Sequence, residues 1–235
     1  MSSLRWNQFG TITGTPQLLT YLRGREYGHS YYFYYAGLGG IEGILGSRSF
    51  WINSFDSFND KKEATRITNP KSSFALCFST GLNENLPLWY LYSGLSGEGG
   101  RIWMKKAGIR KLLDSAKYEL REKGENRKPT GPCIPLEVDK DISVTFGDVV
   151  YYGESNKTCL DLKYNTMTNH IFPLSEKHHL LNMMEGFTKG LIWYYEKETR
   201  LLIKMTPAAE KYLSPEKHYM IVMHFDESAY RKPNL

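Results

Sequence analysis

WYYEKETRLLIKM, residues 193–205, decides how this chain is read. Two acids and an arginine stand at every second position, just where a run of Leu, Ile and Met begins. In an extended chain successive side chains point to opposite faces. Glu196, Glu198, Arg200, Leu202 and Lys204 then share one face, and Lys197, Thr199, Leu201, Ile203 and Met205 share the other. Two carboxylates on one face repel, and a cationic partner, an arginine or a substrate relieves the repulsion by neutralising one acid or raising its pKa. A second reading stays open at this point: the stretch is the solvated edge of an ordinary strand, with Lys197 and Arg200 as surface counter-charges.

Upstream of this segment, residues 175–195 are expected to be mostly helical, with Leu180, Leu181, Met184 and Phe187 turned inward and Gly186 and Gly190 breaking the run. Downstream, HYMIVMHF, residues 218–225, reads as a last strand. Earlier in the chain YYFYY (31–35), SFWIN (49–53), FALCF (74–78) and RIWMK (101–105) are strand candidates rich in aromatic and β-branched residues, and 142–152 supplies one or two more. Leu38, Ile41, Ile44 and Leu45 fall at helical spacing despite their glycines, and Pro87 opens a short helix through Leu88, Trp89 and Tyr92. A helix is expected over 107–123, from Ile109, Leu112, Leu113, Ala116 and Leu120, followed by a Gly- and Pro-rich internal loop over 124–135. The polar start holds Gly10, Gly14 and Pro16, FALCF runs into a Ser79, Thr80, Gly81 turn, and glycines from Gly94 to Gly100 form a link. The expected fold is α+β, a mixed sheet with flanking helices, in one domain over 1–235 with its core at about 30–225.

The composition is that of an ordinary globular chain, 41% hydrophobic and 23% charged, which excludes a disordered polyelectrolyte. Its unusual component is aromatic: 17 tyrosines supply stacking faces with polar tips, which suit a nucleotide pocket and a sheet equally. A formal charge of +5 eases association with polyanions without requiring it, and the clearest basic run, REKGENRK at 121–128, is interrupted by Glu122 and Glu125. Three cysteines without a CxxC spacing suggest neither a zinc site nor a disulfide framework. Adjacent His178 and His179 diverge and make a poor metal pair, so no metal is expected. The GLGGIEG run at 37–43 departs from the GxGxxG dinucleotide fingerprint, with no acid at the end of a second strand. No signal-peptide pattern and no apolar run near ~20 residues is present, so a cytoplasmic protein without a membrane partner is expected.

YYFYYAGLGGIEGIL, the FND of Phe58, Asn59 and Asp60, CFS with LPLWYLY, and WYYEKETRLLI together resemble an uncharacterised bacterial and phage family. Its pattern is an aromatic strand, an FND loop, Ser then WxxY, and WxxExExR. The resemblance covers about residues 31–105 and 190–205. That family in turn resembles ADP-ribosyltransferases in outline, with an aromatic strand, a helix, a central strand bearing Ser and a late strand bearing Glu. What the resemblance implies is NAD as substrate. A carboxylate stabilises the oxocarbenium-like transition state as nicotinamide leaves, and aromatic rings flank the nicotinamide.

Carried over by position, Glu198 matches the catalytic second acid of ExE, and Glu196 the first, which orients or deprotonates the acceptor. Ser79 matches the serine supporting the glutamate, Arg200 holds the acids charged, and Tyr34, Tyr35, Ser79, Trp89, Tyr92 and Arg200 are expected to bind the dinucleotide. Tyr34 stands where many relatives place a histidine against the adenosine ribose, and Ala36 where they often carry a hydroxyl. A phenol donates a hydrogen bond to a ribose but does not titrate near neutral pH. The implied protein is a glycosyltransferase acting in toxicity or phage defence on a nucleic acid or protein acceptor, with a cognate antitoxin as a further partner. The alternatives are an NAD hydrolase, or a non-catalytic module in which ExE only salt-bridges Arg200 and the same face binds a nucleotide or partner. For each aromatic, sheet or helix packing is the competing reading, and for Asn59 and Asp60 it is a turn or helix cap.

Overall fold

The computed structural model describes residues 29–80, 85–93, 98–155, 157–163 and 169–226. The expected polar start with Gly10, Gly14 and Pro16, the turn glycine Gly81 and the Gly94 end of the glycine link lie outside the described residues. Strands β1 (Tyr31–Gly37), β2 (Ser49–Asn53), β3 (Ser73–Ser79), β4 (Gly99–Lys105) and β5 (Lys117–Lys123) make up the first half. β6 (Pro129–Leu136), β7 (Ile142–Asp148), β8 (Val150–Glu154) and β9 (Cys159–Lys163) follow. β10 (Asn169–Pro173), β11 (Thr188–Gly190), β12 (Glu198–Met205) and β13 (Tyr219–His224) complete the set. Helices span Leu38–Ser47, Lys61–Ala64, Leu86–Ser93, Lys106–Ser115 and Lys177–Met183.

Three sheets form layers. The central one runs β4-β1-β3-β12-β7, a second β2-β13-β5-β6, and a third β10-β9-β8-β11, in which β11 pairs parallel to β8. The larger core lies between the first two sheets and takes Phe74, Leu76, Phe78, Leu201 and Ile203 from one side and Phe50, Ile52, Leu120 and Ile221 from the other. Ile109, Leu112 and Leu113 of helix Lys106–Ser115 close this core. On the opposite face of the central sheet, Ala75 and Leu202 meet Val150, Leu160 and Leu162 of the third sheet and Leu180 and Leu181 of helix Lys177–Met183. Phe33 and Tyr35 of β1 meet Leu88 of helix Leu86–Ser93 beside it. A sheet covered on both faces accounts for the continuous apolar runs of β3 and β12.

β12 is therefore an interior strand, paired on both sides with β3 and β7 and buried at every residue from Glu198 to Ile203. The solvated-edge reading is overturned. The face assignment along 198–205 holds: Leu201, Ile203 and Met205 enter one core while Leu202 enters the other. Glu196, however, is not on the strand. It ends a 3-10 segment, Leu191–Glu196, and Lys197 turns the chain in the left-handed region at φ 44 before the strand begins. The α+β class is as expected, with helices flanking the sheets.

Three other expectations fail for physical reasons. The helix over 107–123 stops at Ser115, because KYELREK alternates and pairs with β13, burying Tyr118 and Leu120 while Glu119 faces outward. Leu113, Ala116 and Leu120 fit a helical period, but Leu120 serves a strand equally well. The loop expected over 124–135 is a hairpin: β6 is an edge strand, where proline removes no needed ladder bond. In the stretch 175–195 the helix covers only Lys177–Met183 and closes on Met184, and Gly186, at φ 85, lies in the turn that leads from it to β11. No helix among the described residues is long and apolar enough to cross a membrane.

Phe78 sits at the centre of the larger core, 1% exposed, with ring contacts to Tyr32, Tyr34, Phe50 and Phe146. Phe78→Ala is expected to cost about 3–5 kcal/mol through lost transfer energy and a residual cavity. Urea unfolding measures it, and a loss under about 1 kcal/mol would contradict this packing.

Candidate functional site

Between the two cores on the third-sheet face of the central sheet lies a cluster of five charged groups. Its base is Arg200, wholly buried on β12. The guanidinium holds Glu198, two residues earlier on the same face, through both carboxylate oxygens: Nε bonds Oε1, and Nη2 bonds Oε2 at 3.1 Å. Its Nη1 donates to Glu63 Oε1 and to the Gly186 carbonyl, the latter at 2.9 Å. Glu63 comes from helix Lys61–Ala64, which Asp60 caps by accepting the Lys62 N–H at 3.0 Å. The FND loop thus delivers an acid, with Asp60 as its cap.

Lys189 approaches from β11. Its Nζ lies 2.5 Å from Glu196 Oε2 and 3.1 Å from Glu198 Oε2, bridging the two acids of ExE, and 5.1 Å from the Trp193 ring centroid. The 3-10 segment that carries Glu196 is stitched down through its backbone. Ser79 Oγ donates to the Glu196 carbonyl at 2.7 Å, Thr80 Oγ1 to the Lys197 carbonyl at 2.9 Å, and Asn85 Nδ2 to the Tyr195 carbonyl at 2.6 Å. The Glu198 N–H donates to the Tyr151 phenol oxygen at 2.8 Å. On the reverse face of β12, Thr199 bonds Asp148, whose other oxygen lies 2.7 Å from His29 Nε2.

The electrostatics separate the two acids of ExE. Burial pushes Glu198 upward, but Arg200 and then Lys189 outweigh it and hold this carboxyl well below the usual range. Glu196 is raised from 4.5 to about 7, by burial first and then by the negative Glu198, with Lys189 opposing. Glu63 is also raised, by burial against the pull of Arg200. Burial opposes the charge of Lys189 and of Arg200, yet Glu198 is the largest influence keeping each cation charged. All five groups are buried, Arg200 at 0% and Glu63 at 2% most deeply and Glu196 at 5% and Lys189 at 8% least, so the Glu196–Lys189 end lies nearest the surface. One acid is firmly ionised and a second sits poised near neutrality, the arrangement that acid–base chemistry uses.

Glu196, Glu198 and Arg200 are brought together, while Ser79, expected to support Glu198, donates instead to the Glu196 carbonyl. Tyr34 and Tyr35 are not a pair, because neighbouring residues of β1 point to opposite faces. Tyr34 packs on Phe50 at 5.2 Å in the larger core, where burial and then Cys77 push its phenol up to about 12. Tyr34 therefore stands on the face away from Glu198. Tyr35 is on the cluster's face of the sheet, edge-on to Trp89 at 5.3 Å. Tyr92, on helix Leu86–Ser93, is 45% exposed. Glu63, Lys189, Tyr151 and Cys77 belong to the site without having been expected. Glu63 follows the capping Asp60 by three residues, the spacing of a helix N-cap and its N3 acid, and that signal marks it. Nothing in the pattern around Lys189 does so.

Among the described residues, no three His, Cys, Asp or Glu side chains are placed to hold a metal ion. Comparison with known proteins finds no family model, curated protein or solved structure that the chain matches.

Two outcomes follow from the geometry. Arg200→Ala leaves Glu63 and Glu198 buried without their partner, and is expected to cost about 3–5 kcal/mol in urea unfolding; a loss below about 1 kcal/mol would show that the network is not a structural keystone. Glu196 gives a pH signature. An acid whose folded pKa exceeds its unfolded value favours folding below about pH 4.5, and this advantage is lost as pH rises through about 7. Glu196→Gln is thus expected to be more stable than the wild type at pH 8, by up to about 3 kcal/mol, with the gap closing below pH 5. A variant less stable than wild type at pH 8 would contradict the assignment.

Proposed function

We propose that the chain is an NAD-consuming enzyme of the ADP-ribosyltransferase kind, acting on a nucleic acid or protein acceptor in toxicity or phage conflict. The observation that carries this reading is the divergence of the ExE acids: Glu198 charged under Arg200 and Lys189, Glu196 raised toward neutrality at the less deeply buried end. Burying three carboxylates with two cations is expensive, and a hydrophobic replacement of similar volume usually serves stability as well, so such a network points to function.

In this reaction the bond from the nicotinamide nitrogen to the ribose C1′ breaks, and nicotinamide leaves with the electron pair. Positive charge develops at the ribose, and the acceptor attacks C1′ while giving up a proton. The carboxylates supply the negative charge that favours the oxocarbenium-like state. Glu196 is the residue assigned to touch the reacting molecule and take the acceptor's proton, since Glu198 is 3% exposed and already holds two cations. Glu198 and Arg200 act as positioning residues behind Lys189. Tyr35 and Trp89 provide aromatic surface on the cluster's side of the sheet, in the group that Tyr195, the neighbour of Glu196, packs against, while Tyr34, on the far face, takes no part.

The second reading, a non-catalytic binding module, is favoured by one observation: both Glu198 oxygens are engaged by cations of the chain itself. The experiment incubates the purified protein with labelled NAD and separate pools of RNA, DNA and cell-extract protein, with Glu196→Gln and Glu198→Gln alongside. Label is expected in one pool, falling at least about a hundredfold in Glu196→Gln. Free nicotinamide without a labelled pool identifies an NAD hydrolase, and no turnover in any pool overturns the enzymatic reading in favour of the binding module.

A further inference from the structure

Residues 99–113 carry five cations, Arg101, Lys105, Lys106, Arg110 and Lys111, and no acid. The stretch forms β4, an outer strand of the central sheet, and the helix Lys106–Ser115 that follows it without a break. Side chains alternate along β4: Ile102 and Met104 join the larger core, and Arg101, Trp103 and Lys105 take the opposite face. Register pairs these three with Tyr35, Phe33 and Tyr31 of β1. Tyr31 and Trp103 lie 5.7 Å apart, Tyr31 stacks on Phe33 at 6.5 Å, and the Arg101 guanidinium sits 4.8 Å over the Phe33 ring. Phe33 and Tyr35 are buried against helix Leu86–Ser93, but Trp103 is 56% exposed and Lys105 is exposed beside it. An indole left half in water, with a cation on either side about 7 Å along the strand, suits a ligand that is both flat and anionic.

We propose that this edge is a stacking platform for single-stranded nucleic acid, with a base on Trp103 and the phosphates on either side held by Lys105 and Arg101. Bases and phosphates together supply the flat faces and the negative charge that the edge asks for, and the helix Lys106–Ser115 extends the positive surface. A duplex hides its base faces within the stack, so the indole selects the single strand. An acidic protein would engage the cations and leave the indole without a use.

The platform also has a direction. Trp103 pairs with Phe33, Phe33 with Ser79 and Ser79 with Glu198, so one row on one face of the central sheet leads from its edge to the acids. Three strand spacings, roughly 14 Å, separate the two ends of that row. A strand of nucleic acid seated on Trp103 therefore has the ExE acids within reach of a few nucleotides. The inference names the acceptor of the proposed activity, and it rests on that reading only for the step from binding to modification.

The test is fluorescence anisotropy of the full chain with labelled single strands of DNA and of RNA about 16 nucleotides long, and with the matching duplexes, over a range of salt. Single strands are expected to bind at least about tenfold more tightly than duplexes, and Trp103→Ala to weaken them about tenfold. Lys105→Ala should lower the slope of affinity against salt by about 0.7, one phosphate contact. Lys128→Ala removes the same charge from the exposed end of REKGENRK, on the second sheet, and should change neither. Circular dichroism checks the fold of each variant. Duplex bound as tightly as single strand, wild-type binding by Trp103→Ala, an equal loss in Lys128→Ala, or no oligonucleotide bound would overturn the proposal. Capture of polyglutamate in place of oligonucleotides would overturn it in favour of an acidic protein partner. Oligonucleotide binding without NAD turnover keeps this surface and removes the enzymatic reading; label passing from NAD to protein alone, with no oligonucleotide bound, does the reverse.

Discussion

A guanidinium placed in the middle of a sheet, with no access to water, is the constraint around which the rest is arranged. Arg200 is 0% exposed on a strand paired along both edges, and it must find acceptors for its donors inside the protein. Glu198 provides two oxygens from the same strand, Glu63 one from a helix more than 130 residues earlier, and Gly186 a carbonyl from the loop before β11. The helix of the FND loop, the third sheet and the central sheet are thereby tied to one point. Gly186 suits its place because its backbone is at φ 85, and because a Cβ there would lie 2.7 Å from Leu202 Cδ2.

Once Arg200 has fixed Glu198, the second half of the site follows. Lys189 needs an anion at the same depth, takes Glu198 Oε2 and extends to Glu196, which the left-handed turn at Lys197 swings back over the strand. Had ExE continued as one regular strand, both acids would project in parallel from it. The turn instead puts Glu196 out of reach of Arg200, beside Lys189 alone among the cations, and that position is why the two carboxyls differ in protonation. Burial raises both, but only Glu198 has Arg200 beside it.

The elements readable from residue order were those with one period and one environment. YYFYY, FALCF, SFWIN, RIWMK and HYMIVMHF are strands because their aromatic and β-branched runs fit pleated, buried surfaces. Residues 117–123 suit a helix as well, since Leu113, Ala116 and Leu120 satisfy a helical period, and only pairing with β13, about a hundred residues on, selects the strand. The hairpin to β6 hides behind its prolines for a related reason, as only an edge position tolerates them. In the site, ExExR announced itself by its density of charge. Lys189 did not, since an isolated lysine in sequence carries no mark of the depth at which folding will place it.

The alternation along β1 shows the limit of transferring roles by position. Tyr34 and Tyr35 are adjacent in sequence, yet one completes the larger core and the other faces the helix Leu86–Ser93, so a single ribose or nicotinamide cannot meet both. The enzymatic reading accordingly rests on the acids and on Tyr35, Trp89 and Tyr195. Its physical content is that one carboxyl of the pair holds a proton near neutral pH while its neighbour never does. Carbon-13 NMR of side-chain carboxyls, assigned through Glu196→Gln and Glu198→Gln and followed from pH 3 to 9, measures this directly. The account predicts a Glu196 resonance titrating near 7 and a Glu198 resonance with no titration in that range; two carboxyls titrating together near pH 4 to 5 would contradict it.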